Sequence, residues 1–194
     1  MKRKIKIGVL ALQGAFEEHI KMLNLLDAEG VEIRQRKDLE QNFDGLIIPG
    51  GESTVISKLL RELEMRDELL RIINEGLPVF GTCAGLIMMS SETGDPKAVP
   101  LGLMKCTAKR NAYGRQLGSF STVADFKGIG EIPMVFIRAP YISDVSKNVE
   151  VLSVVNDRIV AARQGRFLAT AFHPELTEDL SVHKYFLNMI SEKI

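Results

Sequence analysis

The sequence predicts an α/β fold in which a doubly wound mixed sheet carries an antiparallel extension, within a single domain over residues 1–194. Two observations support this prediction. In the first half of the chain, buried strand patterns alternate with helix patterns, an order typical of a parallel sheet covered by helices on both faces. In the second half, short apolar segments are joined by tight turns such as Asn156-Asp157 and Gln164-Gly165, as in antiparallel hairpins.

The first half of the chain predicts four strands that alternate with helices. Apolar residues at helical spacing predict helices that end near Gly30 and Gly76. Ser53 stands at the start of the second helix pattern, where its hydroxyl is expected to cap the helix. Val31–Arg34 alternates as a strand near a sheet edge does. The predicted strands are 5–12, 31–34, 43–48 and 77–80, and a helix is predicted over 84–90.

The second half of the chain predicts shorter strands and one last helix, whose apolar stripe runs over 182–190. The predicted strands are 102–109, 118–124, 134–138, 149–155, 159–163 and 167–172. Ligand sites in doubly wound sheets lie outside the carboxyl ends of the strands. We therefore expect the site at four places that follow strands: Gln13-Gly14, Gly50–Ser53, Cys83 and the residues after Phe172.

The composition argues against several classes of function. Lys and Arg together number 25, as do Asp and Glu, so the formal net charge is zero and no nucleic-acid or membrane partner is expected. Two cysteines without framework spacing predict a reducing, cytoplasmic setting and no disulfide scaffold. Three histidines without paired Cys or His neighbours predict no metal site, and we expect no cofactor. No apolar run reaches the length of a membrane span.

Gly81–Gly85 has the sequence G-T-C-A-G between a strand and a helix, which is the cysteine form of a nucleophile elbow. Such a turn strains the backbone of the nucleophile and requires small neighbours. It also places Cys83 at a helix N-terminus, which favours the thiolate and leaves the N–H of Ala84 free to donate. Cys83 is therefore predicted to be a nucleophile, the alternative being an ordinary buried cysteine. Cys106 lies in an apolar strand pattern and is expected in the core.

His173 and Glu175 follow the last predicted strand. Pro174 biases His173 toward an extended backbone, in which residues two apart point the same way, so Glu175 is placed to orient the imidazole. Cys83 and His173 are 90 positions apart and can meet only through the fold. A thiol, an imidazole and a carboxylate are the three groups that nucleophilic acyl transfer needs. His19 and His183 lie in helix patterns and are expected to be structural or surface residues.

The loop Pro49–Ser53 offers a second source of N–H donors. Acyl transfer produces an oxyanion, which needs more than one donor, and glycines allow backbone N–H groups to approach a ligand closely. Gly50 and Gly51 are therefore candidates for an oxyanion hole together with Ala84. The loop lacks the Walker pattern of a phosphate-binding loop, and a plain strand-to-helix turn is the alternative.

Together these motifs resemble those of the class I, or triad, glutamine amidotransferases, which have a flavodoxin-like core. The resemblance is carried by Pro49–Ser53, Gly81–Gly85 and His173–Glu175. Over essentially the whole chain, further segments resemble the glutaminase subunits of pyridoxal 5′-phosphate synthase. These segments are Leu10–Gly14, Arg110–Gln116, Phe136–Pro140 and Phe172–Thr177.

The resemblance implies an enzyme that hydrolyses L-glutamine through a Cys83 thioester. The ammonia would pass to a separate synthase subunit, within a hetero-oligomer, for the synthesis of pyridoxal 5′-phosphate (vitamin B6). It implies that Gly51, Glu52, Ser53, Arg110, Ile137 and Arg138 bind glutamine, and an arginine suits the free α-carboxylate. Gln13 and Gly14 lie on the same rim and are expected to carry the partner's signal into the site.

Two other functions are consistent with parts of the sequence. A cysteine deglycase or peptidase on the same core would pair Cys83 with another acid, for which Glu17 is the candidate. A non-enzymatic binding domain is the second alternative. The Cys83, His173 and Glu175 set argues against it, because a binding role does not require a thiolate and a base together.

Overall fold

A computed structural model describes residues 3–93, 97–110 and 118–191. Within these ranges the helices are α1 (Phe16–Leu25), α2 (Ser53–Glu62), α3 (Arg66–Asn74), α4 (Ala84–Met89) and α5 (Ser181–Ser191). The strands are β1 (Lys6–Leu10), β2 (Glu29–Ile33), β3 (Gly45–Ile48), β4 (Val79–Thr82), β5 (Ser90–Thr93), β6 (Met104–Lys109), β7 (Ser119–Phe126), β8 (Gly130–Ile137), β9 (Tyr141–Val145), β10 (Glu150–Val155), β11 (Arg158–Gln164) and β12 (Phe167–Thr170). Short 3₁₀ helices cover Arg36–Glu40 and Pro174–Leu176.

The predicted fold class is confirmed, since a parallel half and an antiparallel half share one mixed sheet. The parallel strands follow the order β2-β1-β3-β4-β12, and β12 continues into the antiparallel strands β11, β9 and β6. Strand β2 lies at the edge, as its alternating pattern predicts. The hairpin of β7 and β8 forms a second sheet. The order of the parallel half is that of the flavodoxin-like folds, whose ligand site lies where strand order reverses, between β1 and β3.

Helices cover both faces of the parallel half, and two glycines show how closely they pack. A Cβ on Gly45 would lie 2.7 Å from Ile190 of α5, and a Cβ on Gly81 would lie 2.5 Å from Met89 of α4. Gly81 pairs with Ile48, three residues beyond Gly45 in β3, so the two glycines face opposite sides of the sheet. Helices α4 and α5 therefore sandwich the sheet, and the buried apolar side chains of both layers form one continuous core.

Three local predictions differ from the structure. Strands β5 and β9 were not predicted, because Ser90–Thr93 and the centre of Tyr141–Val145 are polar and are recruited by pairing with β6. Ser53 does not cap α2: it is the first residue inside the helix, so Glu52 occupies the cap position. The segment 84–90 is predicted to open a longer helix, but helix α4 ends at Met89 and Ser90 begins β5. In the described residues, no helix is long and apolar enough to cross a membrane.

Candidate active site

Cys83 lies on the sharp turn between β4 and α4, with a backbone that L residues rarely adopt, φ 50° and ψ −101°. Such a conformation costs on the order of 1–3 kcal/mol and persists only where the surroundings enforce it. Here the Cys83 N–H donates to the carbonyl of Thr170 at 2.8 Å. A Cβ at Gly85 would stand 2.0 Å from the backbone oxygen of Ile48. The small residues of the elbow thus allow the turn to pack directly against β3.

The fold brings His173 and Glu175 to Cys83. The Nδ1 atom of His173 lies 2.7 Å from Oε1 of Glu175, and the same imidazole interacts with the Cys83 thiol. All three side chains are buried, with 7%, 6% and 5% of Cys83, His173 and Glu175 exposed. Pro174 led us to expect an extended backbone here, but Glu175 belongs to a 3₁₀ helix. This helix still directs the carboxylate toward the imidazole.

The surroundings of His173 favour its protonated form. Burial alone would lower the pKa of the imidazole. The hydrogen bonds with Cys83 and Glu175, and the charges of both, outweigh burial and raise the pKa of His173 to about 10. An imidazolium beside Cys83 stabilises a thiolate, the nucleophilic form of cysteine. The arrangement can therefore attack a carbonyl carbon and protonate a departing amine.

The glycine loop after β3 lies against the same imidazole. A Cβ at Gly50 would stand 2.2 Å from Cε1 of His173, so only glycine fits there. The Gly50 N–H donates to Oγ1 of Thr82 at 3.0 Å, and the Gly50 carbonyl accepts from the N–H of Ala15 at 3.1 Å. The Gly50 N–H is thus engaged in this conformation, and the predicted set of oxyanion donors narrows to Gly51 and Ala84.

A cavity of about 310 Å³ opens above these groups, and most of the predicted site residues line it. Its lining includes Cys83, His173, Gly50, Gly51, Ala84, Glu52, Arg110, Ile137, Arg138, Gln13 and Gly14. Ser53 is buried outside the cavity, and Glu175 lies beneath it behind His173. A second cavity, of about 390 Å³, lies at the opposite ends of the strands, where the Arg71–Glu75 ion pair lines it.

Charged groups of both signs surround the mouth of the active-site cavity. Arg110 forms an ion pair with Glu52. Arg138, which ends the β7–β8 hairpin, is exposed and has a φ of 44°. The carbonyl of its neighbour Ile137 lies 4.0 Å from the Cys83 sulfur. The rest of the predicted Arg110–Gln116 motif, residues 111–116, lies outside the described residues.

Three functional candidates were missed from the sequence: Thr82, His19 and His183. His19 and His183 are completely buried under the triad, not at the surface. His19 lies between His183 and Thr82, and its Nε2 atom is 3.5 Å from Glu175. The sequence held one signal for the burial of His19, its position on the face of α1 that packs against the sheet. No sequence pattern predicts that α1 and α5 contact each other.

The chain is similar to known proteins over nearly its whole length. The model of the SNO glutamine amidotransferase family matches residues 9–192. The pyridoxal 5′-phosphate synthase subunit PdxT of Haemophilus influenzae (strain PittEE) is 55% identical over 188 residues, 95% of this chain and 98% of that protein. The subunit of the same name from Streptococcus pneumoniae serotype 2 (strain D39 / NCTC 7466) is 54% identical over 97% of this chain and 100% of its own.

Solved structures show the same likeness. A crystal structure of a glutamine amidotransferase superposes with a TM-score of 0.90 at 46% identity, covering 95% of this chain and 98% of that one. The structure of PurLQS from Thermotoga maritima superposes with a TM-score of 0.70 at 16% identity, covering 96% and 99%. The second likeness concerns the fold alone.

The buried histidines predict that the folded protein is most stable near pH 6.5. Burial lowers the pKa of His183 to about 4, so acidification from 6.5 protonates the unfolded chain first and removes about 3 kcal/mol of stability. The pKa of His173 is raised to about 10, so its contribution is complete below pH 6.5 and is lost as the pH rises through 10. The free energy of unfolding, measured with urea from pH 4 to pH 10, should fall on both sides of pH 6.5: on an acid limb from His183 and on an alkaline limb from His173.

A matched variant separates the two limbs. Cys83→Ala removes one contact that raises the pKa of His173, so it should flatten the alkaline limb and leave the acid limb in place. Stability that stays constant or rises from pH 6.5 to pH 9 in the wild-type protein would contradict the assignment.

Proposed function

The chain belongs to the SNO glutamine amidotransferase family, and we propose that Cys83, His173 and Glu175 are its catalytic triad. The protein is a glutaminase: it hydrolyses L-glutamine and supplies the ammonia to a synthase subunit for vitamin B6 biosynthesis. The observation that carries the triad proposal is the position of the His173 imidazole. Its Nδ1 atom lies 2.7 Å from Glu175, and the ring lines the same cavity as Cys83.

Each step of the reaction has a group placed for it. The Cys83 thiolate attacks the side-chain amide carbon of glutamine, and the N–H groups of Ala84 and Gly51 hold the resulting oxyanion. The His173 imidazolium gives its proton to the departing ammonia, leaving a thioester on Cys83. Neutral His173 then takes a proton from water, which hydrolyses the thioester to glutamate. Glu175 holds the imidazole in the required orientation throughout.

The decisive measurement is glutamate release from L-glutamine, with and without the synthase subunit. We expect release that rises when the subunit is added and that falls by about 10³-fold or more in Cys83→Ala, because no other group can form the thioester. Cys106→Ala is the matched control: Cys106 is buried in the core, and burial raises the pKa of its thiol to about 11. Loss of activity in the control variant, or full activity in Cys83→Ala, would refute the proposed nucleophile.

The deglycase or peptidase alternative finds less support. It needs a second acid beside Cys83, and its candidate Glu17 is exposed on α1, outside the lining of the active-site cavity. Glu175, in contrast, is buried and within hydrogen-bonding distance of His173. The geometry therefore favours the acyl-transfer arrangement that a glutaminase uses.

We further propose that the charged rim of the cavity binds the amino-acid end of glutamine. Arg138 and Arg110 supply cations for the α-carboxylate, and Glu52 supplies an anion for the α-ammonium group. Gly51 and Ile137 line the cavity and form its walls. Ser53 lies outside the cavity, and its proposed contribution is indirect, through the first turn of α2, which carries the Glu52 loop.

Arg138→Gln tests the recognition of the carboxylate. Removal of a charged hydrogen-bonding partner costs about 1.5–3 kcal/mol, so we expect KM for glutamine to rise about 10-fold to 100-fold with little change in kcat. Arg71→Gln is the matched control, since Arg71 lies at the opposite ends of the strands. Equal KM values in Arg138→Gln and the wild-type enzyme would remove Arg138 from the binding site.

We propose that Gln13 and Gly14 couple the partner to the oxyanion loop. The Oε1 atom of Gln13 accepts the Glu52 N–H at 2.7 Å. A Cβ at Gly14 would stand 1.7 Å from the Gly50 carbonyl. The Gln13-Gly14 loop and the Gly50 loop are thus packed backbone to backbone, so a displacement of one loop must displace the other.

Gln13→Gly tests this coupling. The variant loses the bond to the Glu52 N–H, so the rise in glutaminase activity on adding the synthase subunit should be several-fold smaller than in the wild-type enzyme. Gln41→Gly, at an exposed glutamine bonded to Lys6, is the control and should keep the full rise. If the synthase subunit raised the activity of Gln13→Gly as much as that of the wild-type enzyme, the proposed coupling would be wrong.

We also propose that residues 1–194 act as one domain in the cytoplasm. The continuous core from β1 to α5 supports one folding unit. The chemistry requires a free thiol, and Cys83 and Cys106 are both free, which suits a compartment that keeps thiols reduced.

A further inference from the structure

A chain of buried polar side chains lies on the side of Glu175 that faces away from the cavity. His183 Nε2 is 2.8 Å from His19 Nδ1, and His19 Nε2 is 3.1 Å from Thr82 Oγ1. Thr82 Oγ1 is 3.5 Å from Glu175 Oε1, and His19 Nε2 is 3.5 Å from Glu175 Oε2. Both histidines and Thr82 have 0% exposure. These side chains come from α5, α1 and β4, so three separate elements converge on one carboxylate.

One assignment of protons satisfies this cluster best. Among the described residues, Nδ1 of His183 is buried without a hydrogen-bonding partner. An unpaired lone pair costs less there than an unpaired N–H, so His183 carries its proton on Nε2 and donates to His19 Nδ1. His19 then carries its own proton on Nε2 and donates it to Thr82, and Oε2 of Glu175 lies 3.5 Å from the same nitrogen. The Thr82 hydroxyl accepts from His19 and from the Gly50 N–H and donates to Glu175.

The opposite assignment is unfavourable in two places. It would bury an N–H of His183 without an acceptor. It would also turn a lone pair of His19 toward the Glu175 carboxylate. Desolvation, with the nearby charges of His183 and His173, lowers the pKa of His19 well below its ordinary value, so the ring is neutral and has only one N–H to place.

We propose that His183, His19 and Thr82 are positioning residues: they form a chain of donors that ends at the Glu175 carboxylate and so hold it aligned with His173. The inference rests on the proposed function of the triad. A buried carboxylate needs donors for both oxygens, and His173 supplies a close one only to Oε1. Oε2 is buried without a hydrogen-bonding partner among the described residues, and the nearest polar group given for it is His19 Nε2 at 3.5 Å, which presents its N–H dipole to the oxygen. Thr82 ties the same carboxylate to the Gly50 loop.

The titratable groups that face this cluster are few. Glu175 faces His173 from its own segment and His19 from α1. His19 also faces His183 from α5, and His173 faces Cys83 from the elbow. Because Glu175 raises the pKa of His173, any loss of alignment in Glu175 must lower the pH at which His173 loses its proton.

Two pairs of substitutions test the proposal by this effect. Thr82→Val and His19→Leu remove donors, whereas Thr82→Ser and His19→Gln keep one at nearly the same place. Thr170→Val is the matched control: Thr170 pairs with Thr82 in the sheet, is equally buried, and directs its hydroxyl at the Phe172 carbonyl instead. His19 does not bond to Gly50, so His19→Leu separates an effect on Glu175 from an effect on the loop.

The first readout is an NMR titration of the histidine side chains. The chain has three histidines, so each signal can be assigned. We expect His19 and His183 to stay neutral with the proton on Nε2. Thr82→Val and His19→Leu should each lower the titration midpoint of His173 by about one pH unit, the size of one lost hydrogen bond to a charged group. Thr82→Ser, His19→Gln and Thr170→Val should leave the midpoint near the wild-type value.

The second readout is steady-state glutaminase activity. A misaligned imidazole slows the chemical step, so kcat should fall by about 10-fold to 100-fold in Thr82→Val and His19→Leu, while KM stays within about 3-fold. The serine and glutamine variants should recover most of this loss. If His19→Leu does not fold, the Thr82 variants carry both readouts.

The two readouts distinguish failure of this inference from failure of the proposed function. A wild-type enzyme without glutaminase activity would refute the proposed function, while shifted His173 titrations would still support the positioning of Glu175. The inference itself is overturned if Thr82→Val and His19→Leu give the same His173 midpoint as Thr170→Val, or if His19 carries its proton on Nδ1.

Discussion

The 2.7 Å contact between His173 and Glu175 is the interaction on which the rest of the site depends. It places an anion in the interior, where an unpaired charge costs several kcal/mol, so the surrounding elements must satisfy it. Thr82 of β4 and His19 of α1 approach the carboxylate from below, and Cys83 approaches the imidazole from above. The buried polar side chains around the proposed catalytic pair therefore satisfy the carboxylate and the imidazole in the interior.

Close backbone packing keeps this pair under the cavity floor. The loops after β1, β3 and β4 meet where no side chain fits: a Cβ at Gly14 would overlap the Gly50 carbonyl, and one at Gly85 would overlap the Ile48 carbonyl. The β7–β8 hairpin completes the enclosure, because the N–H of His173 donates to the Val135 carbonyl of β8 at 2.8 Å. The hairpin that carries Ile137 and Arg138 to the rim thus also anchors the base.

The Gly50 loop lies between the proposed triad and the rim through which we propose that the partner acts. Its N–H is held by Thr82, its carbonyl by Ala15, and the following N–H of Glu52 by Gln13. The Gly50–Glu52 segment therefore contacts Thr82 beside Glu175, the rim of the cavity and the proposed oxyanion site. These hydrogen bonds are the basis of the proposed coupling, because they link the Gln13 loop at the rim to the loop beside His173.

The sequence by itself determined the strands β1 to β4 of the parallel half, the elbow at Cys83 and the His173–Glu175 pair, because periodicity and short motifs are local properties. That β12 joins them in parallel was decided by the tertiary structure. Strands β5 and β9 could not be predicted, since polar segments become strands only by pairing with β6. Only tertiary structure buried His19 and His183 together, 164 positions apart, because α1 and α5 pack on one face of the sheet. It likewise engaged the Gly50 N–H with Thr82, a contact set by strand order and not by any local pattern.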